Sequence, residues 1–336
     1  IKVFGTGFIL ICLAVVIASY TVIRLQPKDI LTIMKEKQVD FMIVVPAFLK
    51  LLKTSIEAEL NNSSKSSRSM FKAMYAAAKF IPFYSIKKLM FKKIHDKFGG
   101  HFIGCISGGA PLDIEVGKFF ERIGIKVYQG YGLSEASPVV SINTDKRREL
   151  ASVGKPLKTF TAKVDSETGE LILKGPAVMK GYHNQPEMTA SVIDSDGWLH
   201  TGDIAKIDKD GHIFITGRIK NMIVLSGGKK VFPEEVEAVL EKSSYFAEVC
   251  VLGISRTFGA KDGTEEIAAV IVPADELISK YDDETLDKLI RSEVKTLSGR
   301  LTAYKRPVNI IISKNPLPRT ATRKVKRKEV KELVKI

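Results

Sequence analysis

Two short segments hold the residue types from which a ligand site could be built. Gln129-Gly-Tyr-Gly-Leu-Ser-Glu-Ala136 offers glycines at 130 and 132 that let backbone pass close to a ligand, together with the aromatic face of Tyr131 and the hydroxyl of Ser134. Glu135 adds a hard oxygen ligand suited to Mg2+. An ordinary tight strand-to-helix turn explains the same residues equally well. A dinucleotide fingerprint fails, because Glu135 stands where its third glycine belongs. A hydrolase elbow nearly fits as Gly132-Leu-Ser134-Glu-Ala136, but it needs a histidine, and His95, His101, His183, His200 and His212 sit in no diagnostic context. The second segment, Ser107-Gly-Gly-Ala-Pro-Leu112, exposes backbone at Gly108 and Gly109 that could line the same crevice, although Gly-Gly-x-Pro is also a common turn.

Further along, Trp198-Leu-His-Thr-Gly-Asp203 sets a carboxylate just past a glycine. It is a turn cap or, as a ligand group, an acceptor of two hydrogen bonds from a ribose diol. Gly217-Arg-Ile-Lys-Asn-Met-Ile223 and Gly227-Gly-Lys-Lys-Val-Phe-Pro-Glu-Glu-Val-Glu237 add a cation-rich turn before a helix. Leu317-Pro-Arg-Thr-Ala-Thr-Arg-Lys324 puts a lysine in a loop that Pro318 keeps from becoming helical. Asp194-Ser-Asp-Gly and Asp208-Lys-Asp-Gly open like calcium loops, but Ala205 and Ile219 fall where the closing glutamate belongs, so both read as hairpin turns.

The elements that must carry these segments follow from periodicity. Ile103–Ser107 reads as a strand, Leu112, Val116, Phe119 and Ile123 recur at helical spacing, and Ile125–Tyr128 reads as the next strand. Such a βαβ unit implies a parallel sheet with ligands at the carboxyl ends of its strands. From about Ser152 to Thr216 short strands alternate with Thr168-Gly169, Asp196-Gly197 and Asp210-Gly211 turns, which predicts a β-rich subdomain. Past Gly217 an α+β pattern begins: a helix opening at Pro233, strands at Ala247–Leu252 and Ile267–Val272, a helix over Glu284–Leu297 and a strand at Val308–Ile312. Asn61 to Ser69 is a low-complexity stretch expected to form an exposed loop.

The 336 residues, 45% hydrophobic and 27% charged, are enough for two ordinary domains, which excludes wholesale disorder. Cys12, Cys105 and Cys250 are too scattered for a disulfide framework or a thiolate zinc site and fit a reducing, cytoplasmic compartment. Val3–Ile23 is an uncharged run long enough to span a bilayer, but it also suits a buried strand and helix of an α/β core. The formal net charge is +14, and the stretch from Lys314 to Ile336 holds nine Lys/Arg against two Glu. Without interleaved aromatics that tail argues against a nucleic-acid partner, while peripheral contact with the inner membrane face stays open.

In this order the segments resemble the adenylate-forming superfamily (acyl-CoA synthetases, luciferases and the adenylation domains of peptide synthetases) over about Phe102 to Val330. Ser107-Gly-Gly-Ala-Pro-Leu112 and Leu225-Ser-Gly-Gly-Lys-Lys-Val-Phe-Pro-Glu-Glu-Val-Glu237 are most similar to bacterial long-chain fatty acid–CoA ligases. Residues 1–101 match more loosely, through Pro27-Lys-Asp-Ile-Leu31 and Val44-Val-Pro46. The resemblance implies an α/β fold: residues 1–217 as the carboxyl-terminal part of a large AMP-binding domain, its β-rich subdomain at about 150–217, then a small mobile α+β domain at 218–336.

It implies a reaction in which ATP activates a fatty acid to an acyl-adenylate, releasing pyrophosphate, and coenzyme A then displaces AMP. Gly108, Gly109 and Ala110 are thereby expected in the adenine pocket, with Gly130, Tyr131 and Gly132 alongside and Tyr131 against the ring. Ser134 should meet the α-phosphate and Glu135 the Mg2+, while Asp203 and Arg218 hold the ribose, Lys220 serves as hinge and Lys324 bridges the substrate carboxylate and the α-phosphate. Two departures stand out. The family's Ser/Thr/Gly-rich phosphate loop is not found before Val44, Gly5-Thr-Gly7 being too short, and the first residue is Ile1. The expectation is therefore an upstream half that precedes this chain, and a chain impaired by itself in the first half-reaction. Arg323 also replaces the usual glycine before the lysine. An acyl-carrier-protein acceptor, or a non-catalytic nucleotide-binding or membrane-anchored module, are the alternatives; oligomeric state is not legible.

Overall fold

The parallel sheet that the βαβ pattern predicts is present in the computed structural model, which describes residues 27–255, 265–320 and 325–334. The run Val3–Ile23, Cys12, Arg323 and Lys324 lie outside the described residues. Contacts divide the chain into two units, Ile1–Leu157 and Lys158–Ile336. Among the described residues no helix is long and apolar enough to cross a membrane.

The first unit runs α1 (Pro27–Glu36), β1 (Phe41–Val44), α2 (Pro46–Asn61), α3 (Lys65–Ala77), α4 (Tyr84–Met90), α5 (Lys92–Lys97), β2 (Gly104–Ser107), α6 (Ile114–Arg122), β3 (Lys126–Tyr131), β4 (Ser141–Ile142) and β5 (Lys155–Pro156). Strands β1, β2 and β3 are parallel, and β3–β4–β5 continue the sheet antiparallel. The helix predicted from Leu112, Val116, Phe119 and Ile123 is α6, which holds Val116 and Phe119 and is flanked by Leu112 and Ile123; all four side chains are buried. Asp113 starts it by accepting a 2.8 Å bond from the Glu115 amide, as an N-cap should. Ile125, Val127 and Cys105 complete the same core from the sheet. Pro46 opens α2 at its first turn, and Val45 before it is extended, as a residue preceding proline must be.

The low-complexity stretch differs from expectation. Its loop is confined to residues 62–64, because the Ser64 hydroxyl accepts from the Ser67 amide and starts α3 at Lys65. Serine is a poor helix interior residue but a strong cap, so composition alone misplaced the start.

The second unit begins with an antiparallel sheet of β6 (Thr161–Val164), β7 (Glu170–Lys174), β8 (Leu199–Ile207) and β9 (Ile213–Arg218), with α7 (Pro186–Ala190) between β7 and β8. Its turns are built as the sequence suggests: the Asp208 carboxylate accepts from the amides of Asp210 and His212, and Gly211 takes φ +85°. Then come β10 (Ile223–Val224), β11 (Lys230–Val231), α8 (Pro233–Leu240), β12 (Phe246–Ser255), β13 (Glu265–Pro273), α9 (Asp275–Lys280), α10 (Asp283–Ser298), β14 (Asn309–Ile312) and α11 (Arg327–Leu333). Strand β13 pairs antiparallel with β12 and parallel with β14. Helices α8 and α10 cover this sheet through Val236, Leu240, Leu286, Ile290 and Val294. The turn at Ile219–Asn221, expected as a hinge, lies inside this second unit.

Candidate active site

The parallel register sets the frame in the first unit. Val44 and Ser107 end β1 and β2, and Gln129 is level with them two residues before the end of β3, so the segments that follow β2 and β3 leave the sheet on the same side. The Gly108 amide donates to the Val44 carbonyl at 3.2 Å. A Cβ at Gly108 would lie 3.2 Å from the Gly130 carbonyl oxygen, so the two glycine segments run against each other. Gly109 takes φ +82°, which a side chain would resist.

Gly132 is required for a different reason. A Cβ there would sit 1.7 Å from the Pro138 carbonyl oxygen, because residues 133–139 fold back over it. That return is fixed by the Val140 amide bonded to the Tyr131 carbonyl at 2.9 Å and by Ser137 in the left-handed region at φ +57°. Ser134 to Ala136 form a single 3-10 turn at its tip. Ser134 is exposed there, while Tyr131 and Glu135 are half-buried. The hydroxyl and the carboxylate are thus held one residue apart on a stiff loop beyond a strand end.

Ser107 was not singled out by its side chain, yet it is 1% exposed and its Oγ has no hydrogen-bond partner among the described residues. A buried hydroxyl left without a partner is costly and suits a place where a polar ligand completes the site. Together with the glycine cradle, this fits a nucleotide. Glu135 would hold Mg2+ as one carboxylate among phosphate and water oxygens, the manner in which Mg2+ is commonly bound.

In the second unit, Asp203 and Arg218 are directly opposed on β8 and β9. Arg218 Nε is 2.5 Å from Asp203 Oδ1 and a second nitrogen is 3.4 Å from Oδ2. The carboxylate is 3% exposed, whereas the arginine side chain is 55% exposed. The aspartate is therefore anchored and the guanidinium reaches solvent. The bend before it depends on Glu170, which sequence reasoning missed. Glu170 Oε1 accepts from the Gly202 amide at 2.7 Å and Oε2 meets His200 Nδ1 at 2.8 Å, while Gly202 takes φ +71°. The remaining histidine contacts are structural as well, with buried His95 bonding the Ile123 carbonyl at 2.8 Å and His212 facing Asp208. No histidine joins Ser134 in these contacts, so the hydrolase elbow finds no support.

Lys220 is exposed on the 3-10 turn after Arg218. The next residue, Asn221, donates to Glu234 Oε1 at 2.7 Å at the start of α8. Helix α8 also receives Arg327, whose guanidinium lies 2.5 Å from Glu237 and 3.6 Å from Glu234. The Val251 amide donates to the other Glu237 oxygen at 2.8 Å. Burial pushes the Glu237 carboxyl up to about 7, against the opposing pull of Arg327 and the Val251 N–H. Upstream of the lysine segment, the Leu317 amide bonds Glu248 at 2.9 Å, and the Lys326 amide returns to the Pro318 carbonyl at 2.9 Å. The chain on either side of Ala321–Lys324 is thus fixed to the β12–β13 sheet and to α8.

Comparison with known proteins gives these groups a context. The family model described as AMP-binding enzyme matches residues 3–183, and that of the AMP-binding enzyme C-terminal domain matches residues 220–335. A long-chain-fatty-acid–CoA ligase of Bacillus subtilis is 38% identical over 240 residues, covering 68% of this chain and 40% of that protein. A long-chain-fatty-acid–[acyl-carrier-protein] ligase of Arabidopsis thaliana is 35% identical over 249 residues, covering 67% of this chain and 33% of that protein. The crystal structure of ATP-bound MatB from Rhodopseudomonas palustris superposes with TM-score 0.67 at 27% identity, over 93% of this chain and 54% of that one. The chain therefore spans well under half the length of these curated relatives and about half that of the solved structure.

Proposed function

The chain belongs to the AMP-binding enzyme family, and from that membership we propose that it serves the AMP-forming activation of a long-chain fatty acid and its transfer to the thiol of coenzyme A. The observation that carries this reading is the meeting of the Ser107–Ala110 and Gly130–Glu135 segments at the carboxyl ends of adjacent parallel strands.

In this reading Gly108, Gly109 and Ala110 present backbone to adenine, and Tyr131 lends its ring face. Asp203 accepts from the ribose hydroxyls while Arg218 holds that carboxylate in place. Ser134 donates to the α-phosphate. Glu135 would hold Mg2+, which when bound would supply positive charge to offset that of the leaving pyrophosphate. The fatty carboxylate oxygen forms a bond to the α-phosphorus as the bond to pyrophosphate breaks. In the second step the thiol sulfur loses its proton to solvent and bonds to the acyl carbon, and AMP departs with the electron pair of the broken acyl–oxygen bond. Both first-step reactants are anions, so a cation must join them. Lys324 supplies it as a point charge on a flexible stem. The turn around Lys220 lets the lysine withdraw before the thiol enters. The plant relative supports a second acceptor, a carrier-protein thiol, in place of coenzyme A.

Lys324→Ala tests the division of labour. We expect it to abolish whatever pyrophosphate exchange the wild type supports with ATP and palmitate, while thioester formation from supplied palmitoyl-adenylate is spared. Equal loss in both half-reactions would overturn the assignment.

A further inference from the structure

Helix α4 is turned inside out. Tyr84 and Lys87, with Phe91 just past its end, form its inner face: Lys87 is only 9% exposed, with Nζ 3.3 Å from the Glu121 carbonyl and 5.0 Å from the Tyr84 ring. The Tyr84 hydroxyl is bonded to Glu121 and Arg148, which locks the helix in this rotation. Phe83, Ile86 and Leu89, spaced at three-residue intervals, are therefore left facing out, at 63%, 46% and 73% exposure. Phe80, on the turn before, is 80% exposed, with Lys79 Nζ 5.8 Å from its ring. A soluble helix normally shows the reverse arrangement, and clustered exposed apolar side chains mark an interaction surface.

The charge around this cluster selects its partner. From Leu60 to His95 the sequence holds eight Lys/Arg and no Asp or Glu. Lys72, Lys79 and Lys93 are exposed and form no salt bridge among the described residues. A second copy of this chain would set like charges against one another, whereas an anionic surface would neutralise them. The apolar side chains stand exposed on the outer side of the helix and the turn before it, which suits insertion between lipid headgroups, with lysine stems lying along the interface.

We propose that Phe80, Phe83, Ile86 and Leu89, with the exposed lysines Lys72, Lys79 and Lys93 of the same stretch, form a docking surface for an anionic lipid bilayer. This surface is independent of the ligase reading, since it is read without nucleotide. The test is flotation of the full chain with vesicles of phosphatidylcholine, alone or mixed with phosphatidylglycerol, at low and high salt. Wild type should float with the anionic vesicles only, and less so at high salt. The variant Phe80→Ser/Phe83→Ser/Leu89→Ser, altered only at exposed positions, should partition at least about tenfold less. Three results overturn the proposal: no flotation of wild type, equal flotation with uncharged vesicles, or undiminished flotation of the variant, for instance through the Val3–Ile23 run. A wild-type dimer that the variant converts to monomer without vesicles would assign the surface to a second copy and overturn it as well.

Discussion

Asp203, proposed to hold the ribose, is a buried carboxylate. Its register with Arg218 fixes the carboxylate without spending a flexible partner, because a guanidinium fork matches a carboxylate with two donors. Both residues were legible as types within their motifs, but their pairing was not, since it arises from strand register. Glu170 was invisible for the same reason: its partners Gly202 and His200 lie about thirty residues away in sequence. Glu237 lay inside a recognised segment, yet its burial depends on Arg327, ninety positions on. That burial has a consequence for stability. A carboxyl raised from 4.5 to about 7 binds more protons when folded, so its contribution is complete at low pH and is lost as pH rises through about 7. We expect thermal stability to fall between about pH 5 and 8, and Glu237→Gln, held neutral, to show a shallower fall over that window. Parallel melting curves for the two proteins would contradict this.

At the scale of elements, the βαβ unit was readable because its apolar positions repeat at helix and strand periods and its cap is local. Helix α4 was not readable, because a buried lysine inverts the pattern on which such reading depends. The glycine loop lies between these cases: its residues suggest a turn, and only the return of Pro138 over Gly132 shows why no other residue fits. This separates two glycines that look alike in sequence. Gly132→Ala forces a carbonyl to move and should cost about 3 kcal/mol or more by urea unfolding. Gly109→Ala meets open space and only the penalty of its positive φ, about 1–2 kcal/mol. Equal costs would mean that the loop does not pack as described.

For the whole molecule, each unit brings its own core, and the residues proposed to bind nucleotide are divided between them: Gly108 to Glu135 in the first, Asp203 and Arg218 in the second. The family resemblance was legible because those residues recur as spaced motifs, and the α/β organisation followed from the same stretches. Assignment of all of them to one nucleotide is the central claim, and it does not require turnover by a chain that spans a fraction of its relatives. Calorimetric titration with AMP tests it most directly. The account predicts saturable binding by wild type, weakened about 10- to 100-fold in Asp203→Ala, as expected when a charged hydrogen-bond acceptor is lost. Absence of binding by wild type, or the same affinity in the variant, would contradict it.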